Sequence, residues 1–255
     1  SLDVATRGLD VIFHLAAYAD VNNVIADPAG AVALNVLGTT RVLESARRNE
    51  LRRVVLASTV WVYGAAREER VDERSCFDPA LTGHVYTTTK IASEMLCHDY
   101  ETLFKVPFTV LRYGIPYGPR MRPSLVIPIF IRKAMNGEPM TVAGDGSQHR
   151  KFVYVEDLAE AHVLALAPEA ENQTYNIDGS EEVTILRIAQ TVHQLVGGKG
   201  IEFVPARAGD YGGKQVSSAK AAREIGWTPK VDFATGMERT VQWFTEQERA
   251  ALRTA

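Results

Sequence analysis

Arg53-Val54-Val55-Leu56-Ala57-Ser58 is a run of apolar, partly β-branched side chains with no polar alternation, closed by a serine. A strand that is apolar on both faces has both faces covered, which is the pattern of a parallel sheet and not of a half-solvated antiparallel one. Two similar runs flank it, Asp10-Val11-Ile12-Phe13-His14-Leu15-Ala16 before and Pro107-Phe108-Thr109-Val110-Leu111-Arg112 after. Between them the period changes. Val32, Val36, Thr39, Leu43 and Ala46 recur at i, i+4, i+7, i+11 and i+14, the stripe of an amphipathic helix, and Tyr86 to Phe104 reads as a second helix. Strand and helix in alternation predict a doubly wound α/β fold with a parallel sheet covered on both sides.

After Tyr113 the texture shifts to Gly- and Pro-rich segments, Gly114 to Pro119 and Gly144-Asp145-Gly146, around a helix at 127–135. We therefore expect the doubly wound domain over 1–113, with some later segments returning to it, and a smaller α/β lobe over 114–255. Helices are predicted at 155–166, 184–196, 218–225 and 236–245, and short strands at 174–177 and 201–204. Gly197-Gly198-Lys199-Gly200 reads as a helix end, and Trp227 with Pro229 as core packing and a turn.

The 255 residues carry 28 basic and 31 acidic side chains, a formal charge of −3 that excludes a general polyanion binder, so no nucleic-acid partner is expected. No apolar run is long enough for a membrane span, and Asp3, Arg7 and Asp10 break any signal-peptide pattern. The two cysteines, Cys76 and Cys97, lack metal-ligand spacing. They predict free thiols in a cytoplasmic protein with no metal site.

The chemistry concentrates at Ser58-Thr59, on the carboxyl end of a predicted strand, and at Tyr86 and Lys90, which a spacing of four places on one helical face. An ammonium beside a phenol favours the phenolate, so Lys90 can make Tyr86 a usable base, and Thr59 can hold the oxygen that Tyr86 protonates or deprotonates. A Tyr-x-x-x-Lys pair alone is common; the hydroxyl pair upstream is what raises its weight. His14, His149 and His162 are read as structurally satisfied, His14 by backbone, and are left out of the chemistry.

Further motifs occur in order: His14-Leu15-Ala16-Ala17, Asn35 with Gly38-Thr39, Ser58 to Gly64, Tyr86 to Lys90, Leu111-Arg112-Tyr113, Tyr117 to Arg120, and Gly144 to Asp157. In these the chain resembles the extended short-chain dehydrogenases/reductases, in the NAD-dependent sugar-nucleotide epimerase/dehydratase group, over nearly its whole length. The resemblance implies a Rossmann-like domain with a substrate lobe, NAD as cofactor and a nucleotide-sugar substrate, a UDP-sugar first. It implies catalysis by Thr59, Tyr86 and Lys90, with Lys90 also bonding the nicotinamide ribose. Ala16, Ala17, Asn35, Ser58, Tyr86 and Tyr113 would join Lys90 in the cofactor cleft, and Thr59, Arg150 and Arg207 would contact the substrate, the arginines gripping its diphosphate, Arg150 from within a Gly-rich turn before an apolar strand. It also implies a homodimer packed through the helices around 32–46 and 86–104.

The chain departs from the family in three places. It has no Gly-x-x-Gly-x-x-Gly turn and opens at what resembles the helix before the family's fourth strand, so an N-terminally incomplete Rossmann domain is expected. Val60 and Trp61 stand where dehydratases of the group carry Asp-Glu, and neither can move a proton. Ile115 stands where many 4-epimerases carry a phosphate-binding Asn. Together these imply epimerisation at C4 of a UDP-hexose through a transient 4-keto sugar. An NAD(P)-dependent ketosugar reductase, a cofactor-binding regulator without turnover and a purely structural subunit stay open as alternatives.

Overall fold

Apolar runs that must hide both faces find cover only inside a layered fold, and here they stack side by side. The computed structural model describes residues 2–205 and 214–254, which fall into two compact units. The first takes in the chain up to Tyr113, Ala159–Ile177 and Lys214–Thr228; the second takes in Gly114–Leu158, Asp178 to Pro205, and the chain from Pro229.

In the first unit the strands Val11–His14, Arg53–Thr59, Phe108–Tyr113 and Gln173–Ile177 form a parallel sheet in that order. Every residue of Arg53–Thr59 is buried, as its unbroken apolar run requires. Register places Ser58 beside Arg112 and Thr59 beside Tyr113, so the carboxyl ends of the two central strands bring their polar residues together. The helices Gly38–Arg48 and Val85–Phe104 close over a core of Leu43, Ala46, Val54, Leu56, Cys97, Phe108 and Val110. Val11–His14 is an edge strand among the described residues, and its Phe13 is 42% exposed. Trp227 is fully buried, as expected. Cys76 is exposed, Cys97 is buried, and both are free.

The stripe from Val32 to Ala46 is not one regular helix. Pro28–Val32 and Gly38–Arg48 are joined by a π turn, Ala33–Leu37. Its cause is Asn35, whose short side chain is buried where it receives the Tyr18 N–H at 2.7 Å and donates to the Tyr18 carbonyl at 3.1 Å and the Thr89 hydroxyl at 3.0 Å. Across the widened turn the Asn35 carbonyl accepts from the Gly38 N–H and from the Thr39 hydroxyl, the latter at 2.6 Å.

In the second unit, Ile115–Tyr117 pairs in parallel with His149–Tyr154, which pairs antiparallel with Glu182–Thr184. Ile201–Val204 pairs with Met140–Ala143. Its core holds Tyr117, Ile127, Ile131, Met140, Phe152, Ile188 and Phe233. Arg150, read from the sequence as lying in a turn, is inside the strand His149–Tyr154 opposite Val183. The final helix runs Phe233–Thr254, longer than the predicted 236–245; Asp232 receives the Thr235 N–H at 2.9 Å and caps its start. Helix Ile185–Val196 ends at Gly197 with φ 85°, a backbone angle that favours glycine. No helix among the described residues is long and apolar enough to cross a membrane, and no group of three His, Cys, Asp or Glu there could hold a metal.

Candidate active site

Thr59 terminates its strand in an extended conformation and caps the 3-10 turn Val60–Ala65, its Oγ1 receiving the Trp61 N–H at 3.2 Å. The hydroxyl accepts that bond and keeps its own proton to donate. His84 caps the long helix Val85–Phe104 by receiving the Tyr86 N–H on Nδ1 at 3.0 Å. With Nδ1 an acceptor, the neutral ring carries its proton on Nε2, which is buried without a hydrogen-bond partner. The ring meets Trp61 and Tyr86 edge-on, and burial holds its pKa below the ordinary histidine value. The start of the helix, and with it Tyr86, is thus set by an uncharged cap.

One turn on, Lys90 is buried, donates from Nζ to the Ala57 carbonyl at 2.8 Å and lies 5.9 Å from the centroid of the Tyr86 ring. Desolvation pulls its pKa from 10.5 down to about 8, against the charge of Glu94. At neutral pH it is still an ammonium. It has three protons to give and spends one on Ala57, so the chain holds a buried cation with donor capacity in reserve beside a phenol. That is the donor set that ribose hydroxyls of a dinucleotide require, and the residues present fit such a cofactor.

The structure brings Tyr86 and Lys90 onto one helical face and places Thr59 two residues beyond the carbonyl that Lys90 holds. Tyr113, at the end of the neighbouring strand, has its hydroxyl 2.6 Å from His162 Nε2. Burial, and then the nearby Tyr86, push its pKa above the ordinary tyrosine value, so it is a neutral phenol and not a competing base. Asn35 is engaged with Tyr18 and Thr89, as described. The Ser58 hydroxyl donates to the Glu94 carboxylate. Ala16 is exposed and Ala17 half-buried in the segment after the edge strand. Arg150, in the second unit, donates from Nη1 to the His149 carbonyl at 2.7 Å. Arg207 lies outside the described residues.

His14 is satisfied by a side chain and not by backbone: its Nε2 is 3.0 Å from Thr39 Oγ1. Burial first, and the Lys90 charge second, lower its pKa to about 4. Sequence reading missed Glu94 and Arg112. Arg112 forms a bidentate pair with the Glu94 carboxylate, Nη2 at 2.7 Å and Nε at 3.1 Å, and donates to the Tyr63 hydroxyl at 2.7 Å. The one sequence signal for this was the spacing of Glu94, four residues past Lys90 and so on the face that carries Tyr86 and Lys90.

A family described as "NAD dependent epimerase/dehydratase family" matches residues 3–178. A dTDP-glucose 4,6-dehydratase of Streptomyces niveus is 32% identical over 96% of this chain and 73% of its own length. A probable UDP-glucuronate 4-epimerase of Rhizobium meliloti is 31% identical over 96% of this chain and 77% of its own. Among solved structures, the UDP-glucuronic acid 4-epimerase of Bacillus cereus in complex with UDP-glucuronic acid and NAD superposes with a TM-score of 0.88 at 29% identity, covering 97% of this chain and 79% of that one.

Proposed function

Because the chain belongs to the NAD-dependent epimerase/dehydratase family, we propose that it epimerises a nucleotide-linked hexose at C4, a UDP-sugar, through a transient 4-keto sugar. The observation that carries this reading is the buried Lys90 ammonium beside Tyr86, next to a strand end whose following residues, Val60 and Trp61, are half-buried and have no acid or base group. When bound, NAD supplies the hydride acceptor and donor. Tyr86 Oη, as phenolate, takes the proton of the C4 hydroxyl as that carbon becomes a ketone, and Thr59 Oγ1 donates a hydrogen bond to the same oxygen. Lys90 keeps the phenolate accessible by its charge. When the carbon is reduced on its opposite face, Tyr86 returns the proton to O4, and nothing is consumed. Elimination of water from the ketone would need a further acid and base, and Val60 and Trp61 offer neither.

In this reading Ala16, Ala17, Asn35, Ser58 and Tyr113 shape the cofactor cleft, directly or by holding its walls, and Arg150 and Arg207 bind the substrate diphosphate. Ile115 cannot donate a hydrogen bond, which puts more of the phosphate contact on those arginines. Leu34, Leu37, Met95 and Leu103, 46–69% exposed on the helical segments from 33 to 104, support a twofold homodimer packed through these helices. The free thiols suit a reducing cytoplasm.

The direct test of the cofactor's role is optical. During turnover of UDP-glucose by the NAD-loaded full-length protein, NADH absorbance stays flat in the steady state. Stoichiometric accumulation of NADH would make the enzyme a dehydrogenase and contradict the reading.

A further inference from the structure

Three consecutive residues of one strand end are each tied or assigned to something different. The Ala57 carbonyl holds Lys90 Nζ at 2.8 Å, the Ser58 hydroxyl donates to Glu94, and Thr59 offers its own hydroxyl to the substrate. Lys90 and Glu94 are one turn apart on the helix that carries Tyr86. Glu94 is 4% exposed and Arg112 is 5% exposed, and the bidentate Arg112 pair aims the carboxylate at Ser58 from the neighbouring strand. The helix also packs through Cys97 on the core beneath the strand, and a second polar clamp one turn from the Lys90 contact fixes its register at the strand end.

We infer that Glu94 is a positioning residue of the reaction: through Ser58 it locks the register of the Tyr86–Lys90 helix against the strand end bearing Thr59. The inference rests on the catalytic roles proposed above. The groups around Lys90 are consistent with it. From its own helix Tyr86 and Glu94 face the ammonium, and the edge strand contributes His14, which is neutral at pH 7. The strand Phe108–Tyr113 contributes Arg112, whose charge is spent on Glu94, and Tyr113, a neutral phenol coupled to Tyr86. The charge of Glu94 works against the burial of Lys90.

The test uses E94Q in the NAD-loaded full-length protein. The amide oxygen still accepts from Ser58 and from Arg112 Nε, its NH2 replaces the oxygen that faced Arg112 Nη2, and Arg112 also borders a cavity of about 770 Å³ lined by Glu73, Ser217 and Lys220, where water can help solvate the guanidinium. Two readouts separate positioning from mere structure. In E94Q kcat falls roughly tenfold with KM nearly unchanged, and the Lys90 titration, followed by lysine side-chain NMR and assigned with K90M, moves about one unit below its wild-type midpoint, the low end of what an opposite charge contributes. E94D, which keeps the charge but shortens the arm, restores the midpoint and not kcat. If E94Q does not fold, S58A cuts the clamp and leaves the ion pair: kcat, measured at saturating NAD, falls several-fold while the Lys90 midpoint stays at its wild-type value. An unshifted Lys90 midpoint in E94Q, or wild-type kcat in S58A, overturns the inference. Lack of turnover by the wild-type protein would count against the proposed activity, whereas the Lys90 titration reads Glu94 whatever the substrate is.

Discussion

At the scale of single residues, burial and not charge pairing governs the site. His14 and Lys90 are both pulled toward their neutral forms by desolvation, yet at pH 7 one is neutral and the other charged, because their pKa values fall to about 4 and about 8. The stability consequence has a definite sign. A histidine whose folded pKa lies below 6.5 binds its proton more readily when unfolded, so its contribution is complete above pH 6.5 and is lost as pH falls toward 4. The fold should lose up to about 3 kcal/mol through this group, at 1.36 kcal/mol per pKa unit. Urea titrations of wild type and H14Q at pH 7 and near pH 4.5 check it: the gap between the two pH values narrows in the variant. For catalysis, Tyr86→Phe removes one hydroxyl and should lower kcat by roughly 10²–10⁴, the usual worth of a positioned acid or base, with an unchanged melting curve. The placement of Thr59, Tyr86 and Lys90 was legible in the sequence because two are four apart on one helix and the third closes an apolar strand. Glu94 and Arg112 were not, since residues 18 positions apart meet only through the register that sets Arg112 beside Ser58.

At the scale of elements, the π turn at Ala33–Leu37 joins the segment after the edge strand to the catalytic helix, through Asn35 on Tyr18 and Thr89. Asn35→Ala leaves the Tyr18 amide and carbonyl without these partners and should cost about 2–3 kcal/mol, since buried polar groups left unmade cost about 1–3 kcal/mol each. Equilibrium urea unfolding measures it; a cost below 1 kcal/mol would mean that water replaces the side chain. The apolar stripe from Val32 to Ala46 did not reveal the turn, which slips the buried face by one residue upstream: Ala31 and Asn35 are buried and Val32 is 47% exposed. The central strands were legible for the opposite reason: with both faces apolar they allow no other reading. Strands such as Arg70–Val71 and Ile115–Tyr117 are too short to show any period at all.

At the scale of the whole molecule, the exposed apolar side chains on the helical face predict association. Light scattering of the full-length protein at micromolar concentration should give the mass of a dimer, and L103E, which sets a charge on that face, should give a monomer; a monomeric wild type contradicts the twofold packing. The second unit was the less legible half. Its strands are short and broken by glycines, and its core draws on segments far apart in sequence, so Arg150 was placed in a turn when it belongs to a strand. The central claim is the exit of the ketone: with Thr59, Tyr86 and Lys90 present and no acid or base at Val60 and Trp61, reduction on the opposite face remains. Proton NMR of the sugar anomeric signals, during incubation of the NAD-loaded full-length protein with UDP-glucose and separately with UDP-glucuronate, decides it. The account predicts a galacto-configured product from one of them, approaching the same equilibrium from either side; a 4-keto-6-deoxy product, or no change in both substrates, would contradict it.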